Sequence, residues 1–166
     1  MVKLVLLALL ILGIPLVSYS GTFDITERTT KLDVISFAAL NEFQEYSHEL
    51  TKEGSTVYYK GNFFSNNAQE PGTLSKFSFN KAGKLKCVYV IYGTGSYYDG
   101  ESLNSLMVLF YKEYLQSYGK PDKSIIDGEG RSVEFHWSKD KMNAILMMYD
   151  TEEGRFIYRG YLFYTN

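Results

Sequence analysis

The chain has 166 residues, with 17 Lys and Arg against 19 Asp and Glu, and its formal net charge is −2. Apolar residues make up 45% and charged residues 22% of the chain, which is typical of a globular protein and not of a disordered or collagen-like one. The near-neutral charge argues against binding nucleic acid through a dense basic surface. The single cysteine, Cys87, excludes an intrachain disulfide and a cysteine-based zinc site.

The N-terminal segment has the pattern of an export signal. Lys3 precedes the apolar run Leu4–Val17, which is shorter than the roughly 20 apolar residues that a membrane-spanning helix needs. Ser18 and Ser20 are small residues placed for signal cleavage before Gly21. We therefore expect a signal peptide over residues 1–20, a secreted or periplasmic location and no transmembrane segment in the mature chain. A buried N-terminal helix is the alternative.

The mature chain, residues 21–166, has a length that suits one domain with a sizeable core. An export signal without disulfides or Asn-x-Ser/Thr sequons is more typical of a bacterial envelope protein than of a eukaryotic secreted one. Its first helix is predicted over 35–52, where apolar residues recur at helical spacing from Phe37 to Leu50. Gly54 follows as a helix-ending residue.

Strands are predicted next. Val57–Phe64 is rich in β-branched and aromatic residues. A hairpin follows, in which Phe77 and Phe79 alternate with polar residues before the turn Asn80–Lys84. One face of the return strand is predicted to carry Leu85, Cys87, Tyr89 and Ile91.

The second half opens with the best-marked element. Asp99 or Ser102 can cap a helix that ends at Gly119 and Pro121. Its apolar stripe has helical spacing and consists of Leu103, Leu106, Met107, Phe110 and Tyr114. Three strands are predicted after it, around Val133–Trp137, Asn143–Tyr149 and Arg155–Tyr164. Gly160, inside the last strand, suggests a bulge or a close backbone contact.

The element order predicts an α+β fold in which two helices pack on an antiparallel sheet. Phe77–Lys81 matches Phe135–Lys139 in its aromatic alternation at a constant offset. This match suggests a tandem α-β-β-β repeat with halves 33–95 and 96–166.

These patterns resemble small exported bacterial proteins of unassigned function. The resemblance rests on the hairpin Phe77–Leu85, the helix end Tyr114–Pro121 and the Trp137 strand. In outline it is similar to the two-lobed β-lactamase inhibitor protein fold. The resemblance implies the fold and an exported location, and it transfers no functional residue. The disulfides typical of that inhibitor protein are impossible in this chain.

Few residues suggest catalysis. Glu134 and His136 point to the same side of a predicted strand, and Asp150 lies near the next turn. A small envelope hydrolase using these groups is one alternative function, whereas a solvated strand face is the simpler interpretation. We therefore predict no catalytic residue.

Nothing in the sequence predicts a cofactor or a metal. Gly93-Thr94-Gly95 lacks the remaining glycine of a dinucleotide loop. The acidic turn around Asp127 and Glu129 does not have EF-hand spacing. No His-based zinc motif occurs.

The 15 Tyr and 11 Phe residues are the unusual feature of the chain. The last predicted strand has aromatic residues on both faces, so either both faces are covered or one face displays an aromatic patch. We interpret the protein as an exported, non-enzymatic binding module whose partner is a protein, a peptide or a glycan. A structural protein that self-assembles through an exposed sheet edge is a further alternative. The predicted contact residues are Trp137, Tyr158, Arg159 and Tyr161.

Overall fold

A computed structural model describes Phe23 and residues 25–65, 70–95 and 97–164. The predicted signal peptide and its cleavage site lie outside these residues. The described part contains a helix followed by four strands, and then a second helix followed by four strands. The elements are α1 (Lys31–Leu40), β1 (Glu45–Thr51), β2 (Gly54–Lys60), β3 (Thr73–Asn80), β4 (Leu85–Gly93), α2 (Gly100–Tyr118), β5 (Lys123–Ile126), β6 (Ser132–Lys139), β7 (Met142–Thr151) and β8 (Gly154–Phe163).

All eight strands form one antiparallel sheet in the order β1-β2-β3-β4-β8-β7-β6-β5. Each half is a four-strand meander, and the two meanders meet where β4 pairs with β8. The predicted α+β class, with two helices on an antiparallel sheet, is confirmed. The predicted number of strands was wrong, because each half has four strands and not three.

The first helix differs from its prediction over 35–52. Helix α1 starts at a capping box in which the Thr30 hydroxyl accepts from the Asp33 amide and the Asp33 carboxylate accepts from the Thr30 amide. It ends at Leu40, and Glu42 then has a positive φ of 57°, which a continuing helix does not allow. Glu45–Thr51, which the prediction placed in the helix, forms the edge strand β1 instead, and Leu50 is 79% exposed. The apolar residues had helical spacing without a shared buried face.

The second helix agrees with its prediction. Asp99 is the N-cap, and its carboxylate accepts from the Ser102 amide at 2.7 Å. Gly119 follows the last turn with a φ of 78°, a conformation that favours glycine. The buried side chains are the predicted stripe without Leu106, which is partly exposed: Leu103, Met107, Phe110 and Tyr114.

The predicted hairpin joins β3 and β4. The Asn80 amide donates to the Lys84 carbonyl at 2.9 Å across the turn. The pairing shifts by one residue between Ser78 and Phe79, so that Phe79 lies opposite Leu85. This bulge turns Leu85 into the core, away from the face that Cys87 shares with Tyr89. The prediction that Leu85 shares that face was therefore wrong.

Both helices pack on the same face of the sheet. The first cluster of buried side chains joins Val34 and Ala38 of α1 to residues of β2, β3 and β4. The second joins the α2 stripe to β4, β6, β7 and β8. Fully buried residues such as Val34 and Ile157 each remove enough apolar surface from water to contribute about 1.5–3 kcal/mol. Neither of the helices described is long and apolar enough to cross a membrane.

Two predictions about the sheet have different outcomes. The sequence match at a constant offset aligns Phe77, which lies in β3, with Phe135, which lies in β6. It therefore compares a third strand with a second strand and does not match equivalent elements. Gly160 does mark a close backbone contact, because a Cβ there would lie 1.9 Å from the Val88 carbonyl oxygen.

Candidate functional site

The face of the sheet that points away from both helices is the candidate functional site, and we call it the open face. Alternate residues of each strand point to opposite faces of the sheet. The strand residues on the helix side form the two buried clusters, so the residues between them belong to the open face. Within the described ranges, no helix packs on this face. Its central residues are Tyr58, Lys76, Cys87, Tyr89, Ile91, Glu134, His136, Met147, Tyr149 and Tyr158.

A row of three tyrosines crosses the middle of the open face. The Tyr158 ring lies between those of Tyr89 and Tyr149, at centroid distances of 6.2 and 5.9 Å. Both pairs are edge-to-face, with interplanar angles of 82° and 85°, an arrangement that aromatic quadrupoles favour. Burial raises the pKa of Tyr89 to about 12, so its hydroxyl is neutral and can donate. We call these three residues the tyrosine row.

One end of the tyrosine row is polar. The Tyr149 hydroxyl donates to Glu134 Oε1 at 2.5 Å, and His136 Nε2 lies 3.1 Å from Glu134 Oε2. The hydrogen bond from Tyr149 holds the pKa of Glu134 below its usual range. Glu134 is therefore an ionised acceptor at neutral pH, which is the opposite of what a general acid requires.

Asp150, the other carboxylate of the hydrolase alternative, has a structural role. Arg155 binds both of its carboxylate oxygens, with Nη2 at 2.7 Å from Oδ2, and these hydrogen bonds lower the pKa of Asp150. Arg155 also donates to Asn104 of α2 at 2.5 Å. Neither Asp150 nor Glu134 has the raised pKa that the hydrolase alternative needs.

The four predicted contact residues do not form one surface. Tyr158 is half-buried on the open face, whereas Arg159 and Tyr161 point to the helix-covered face. Trp137 is 1% exposed beneath α2, where its indole N–H donates to the Gly119 carbonyl at 2.9 Å. Grouping Trp137 with Tyr158 as a contact surface is therefore corrected, because Trp137 belongs to the core.

Sequence reasoning missed Tyr89, Tyr149 and Met147 as members of the site. Strand alternation alone would have placed Met147 and Tyr149 on one face of β7. The missing information was the central pairing of β4 with β8, because it brings Tyr89 next to Tyr158. Two strands that lie far apart in the sequence meet there, and no local pattern records that contact.

The described part of the chain offers no cluster of metal ligands. It contains no group of three or more His, Cys, Asp or Glu side chains that could hold a metal ion. The carboxylate of Asp127 accepts from the Arg131 amide at 2.7 Å and thereby stabilises its turn. The Thr94 hydroxyl of the glycine loop accepts from the Arg155 amide at 3.0 Å, which is also a structural contact.

The fold and the open face together define a class, an α+β protein in which the described helices cover one face of the sheet and leave the other uncovered. No family model, curated protein or solved structure matches the chain. The geometry of the open face is therefore the feature of this protein that indicates a function.

Proposed function

We propose that the protein is an exported, non-enzymatic interaction module that binds another protein through its open face. The observation that carries this proposal is the tyrosine row, which lies at the centre of a sheet face without a covering element in the described residues. Tyrosine is enriched at the centres of protein interfaces, because it offers a large apolar area, few rotamers and a hydrogen-bonding hydroxyl.

The size of the open face supports a protein partner. Eight strands at about 4.8 Å spacing span roughly 34 Å, and a strand of eight residues, close to the mean length here, extends for roughly 25 Å. Their product is about 800 Å², which is the area that each partner contributes to a standard protein–protein interface. The curvature of the sheet changes this figure without changing its order of magnitude.

Ring orientation favours a protein over a glycan. Sugars stack on aromatic rings that lie flat on a surface, whereas Tyr158 is nearly perpendicular to both of its neighbours. The three rings therefore cannot form one flat stacking platform, and their mixed orientations suit a mixed apolar and polar protein surface. The ionised Glu134 at its end would accept hydrogen bonds from such a partner.

Site-specific cross-linking tests the proposal. A photoreactive amino acid replaces Tyr158 in one variant and Leu109 in the other. Leu109 is 49% exposed on α2, on the other side of the sheet, and is the matched control. Both variants are expressed in the native host with a C-terminal tag. We expect one stoichiometric protein adduct from position 158 and none from position 109.

Binding of the identified and purified protein is then measured with Tyr158→Ser and Leu109→Ser. A central contact residue costs at least about 30-fold in affinity when truncated, so only Tyr158→Ser should show that loss. Equal adducts at both positions, or equal affinities, would refute the proposal. If Tyr158→Ser instead abolishes concentration-dependent sedimentation of the pure chain, the occupant is a second copy and self-assembly replaces this function.

Export and the tandem arrangement also belong to the proposal. The apolar run and small residues before Gly21 support export, and the mass of the secreted chain tests cleavage at that residue. The repeated order of one helix and four strands supports a tandem arrangement of two halves. The outline similarity to the β-lactamase inhibitor protein fold is proposed on the same grounds.

A further inference from the structure

A second candidate site lies on the helix-covered side of the sheet. It is a cavity of about 250 Å³ between the two halves, above the central strand pair. Asn62 and Phe64 line it from the first half, and Tyr114 and Arg159 line it from the second. At about 30 Å³ per water, the volume corresponds to roughly eight waters, which is enough for a small organic molecule.

The Tyr114 hydroxyl is an unpartnered polar group in this cavity. Tyr114 is 2% exposed, and its hydroxyl has no hydrogen-bond partner of acceptable geometry among the described residues. Arg159 lies beside the hydroxyl, where its charge and its N–H donors act on the phenol oxygen. A guanidinium cannot accept a hydrogen bond, so the Tyr114 O–H is left without an acceptor. Burial raises the pKa of Tyr114, so the hydroxyl stays protonated and can donate. A buried donor without an acceptor is rare in native proteins.

Arg159 supplies the charge of the cavity. Its guanidinium lies over the rings of Phe110 and Tyr114, at 4.5 and 5.4 Å from their centroids. One Nη binds the Glu113 carboxylate at 2.8 Å. A guanidinium has five N–H donors, so Arg159 retains the capacity to bind a second acceptor.

The opposite wall of the cavity limits how much negative charge it accepts. Asn62 donates to Glu70 Oε2 at 2.8 Å and to the Tyr92 hydroxyl at 3.1 Å, so its amide donors are occupied. The carboxylates of Glu70 and Glu113 both act on Tyr92. Both carboxylates repel a ligand with two negative charges more strongly than one with a single negative charge, and the single charge needs only the N–H donors that Arg159 does not use on Glu113.

We propose that this cavity binds a small organic monocarboxylate. Its carboxylate accepts from the Tyr114 hydroxyl and from Arg159, and its apolar part packs against Phe64 and Val90. The site is separate from the open face, since Arg159 and Tyr158 point to opposite sides of β8. The outcome of the test for monocarboxylate binding therefore does not bear on the proposed protein interaction.

Titration of the full chain with benzoate tests the proposal. Trp137, the single tryptophan, lies 5.1 Å from the Tyr114 ring, so its fluorescence reports on the cavity. We expect saturable binding of benzoate, and affinity for the neutral isostere benzamide that is at least about tenfold weaker, because hydrogen bonds to a charged group are stronger. Acetate should bind more weakly than benzoate, and inorganic phosphate should not bind.

Two variants separate this site from non-specific binding. Tyr114→Phe removes only the hydroxyl, whose O–H has no acceptor, so the free protein should melt at the same or a higher temperature while benzoate affinity falls about tenfold. Arg159→Gln should lose affinity further. Tyr111→Phe, on the same helix but outside the cavity lining, should bind as the original chain does.

The proposal is overturned by any of three results. Neither benzoate nor acetate gives saturable binding; benzoate affinity is unchanged in Tyr114→Phe and Arg159→Gln; or Tyr114→Phe destabilises the free protein as the loss of a satisfied hydrogen bond would. The last result means that the hydroxyl already has a partner, such as a buried water.

Discussion

Replacing Gly160 with alanine tests the central pairing of the sheet. Gly160 of β8 lies opposite Tyr89 of β4, where the two halves meet. A Cβ at this position would lie 1.9 Å from the Val88 carbonyl oxygen and 2.8 Å from the Tyr89 Cα. Both atoms belong to the backbone, so no side-chain rotation relieves the clash, and the two strands must separate locally.

The expected cost follows from that separation. Overpacking of a close contact costs about 1–3 kcal/mol, and each ladder hydrogen bond that is weakened costs about 0.5–1.5 kcal/mol. We therefore expect Gly160→Ala to lower the free energy of unfolding by about 3 kcal/mol. In a domain of this size, that corresponds to a fall in Tm of about 6–12 °C.

Gly100→Ala is the matched control. Gly100 is the first residue of α2, and a Cβ there would meet nothing within 4 Å. This change should leave stability unchanged or raise it by up to about 1 kcal/mol. Urea unfolding followed by the fluorescence of the buried Trp137 measures both variants. Equal midpoints for the two variants would mean that β4 and β8 do not approach each other at Gly160.

Two further predictions concern the polar contacts. Tyr149→Phe removes the donor that lowers the pKa of Glu134, so that pKa should rise toward its ordinary value in an NMR titration. A carboxylate whose pKa is lower in the folded state stabilises the protein at pH values above its unfolded-state pKa. This stabilisation is lost as the pH falls through the folded-state pKa. The variant should therefore unfold at a higher pH in acid, and an unchanged Glu134 pKa would contradict this account. Thr30→Ala removes the α1 capping box and should cost about 1 kcal/mol in urea unfolding, whereas Ser36→Ala, exposed on the same helix, should not.

Local signals explain which elements could be predicted from the sequence. In α2 the cap at Asp99, the apolar stripe and the stop at Gly119 agree with one another, and the helix was predicted correctly. In β1 every residue except Ser47 is exposed, so no alternation of buried and exposed positions marks the strand. The four residues of β5 are all exposed as well. Edge strands owe their conformation to pairing with a neighbour, which no local pattern records.

The candidate site depends on the same long-range information. Alternation places Tyr158 and Arg159 on opposite faces of β8 in any arrangement of the sheet. It does not tell which face the helices cover, because both faces of this strand carry aromatic residues. The helices decide it: α2 places Glu113 beside Arg159 and covers Trp137. The aromatic residues of β8 thus divide between a core face and an open face.

The position of β8 explains why a strand with aromatic residues on both faces is compatible with a folded chain. It pairs with β4 on one side and β7 on the other, so its backbone hydrogen bonds are satisfied within the sheet. One side of the strand then contributes Arg159 to the cavity between the halves, and the other contributes Tyr158 to the tyrosine row. A strand at the edge could not present Tyr158 at the centre of a surface, where contacts exclude water most completely. Central placement of β8 is therefore the feature of the fold on which both proposed sites depend.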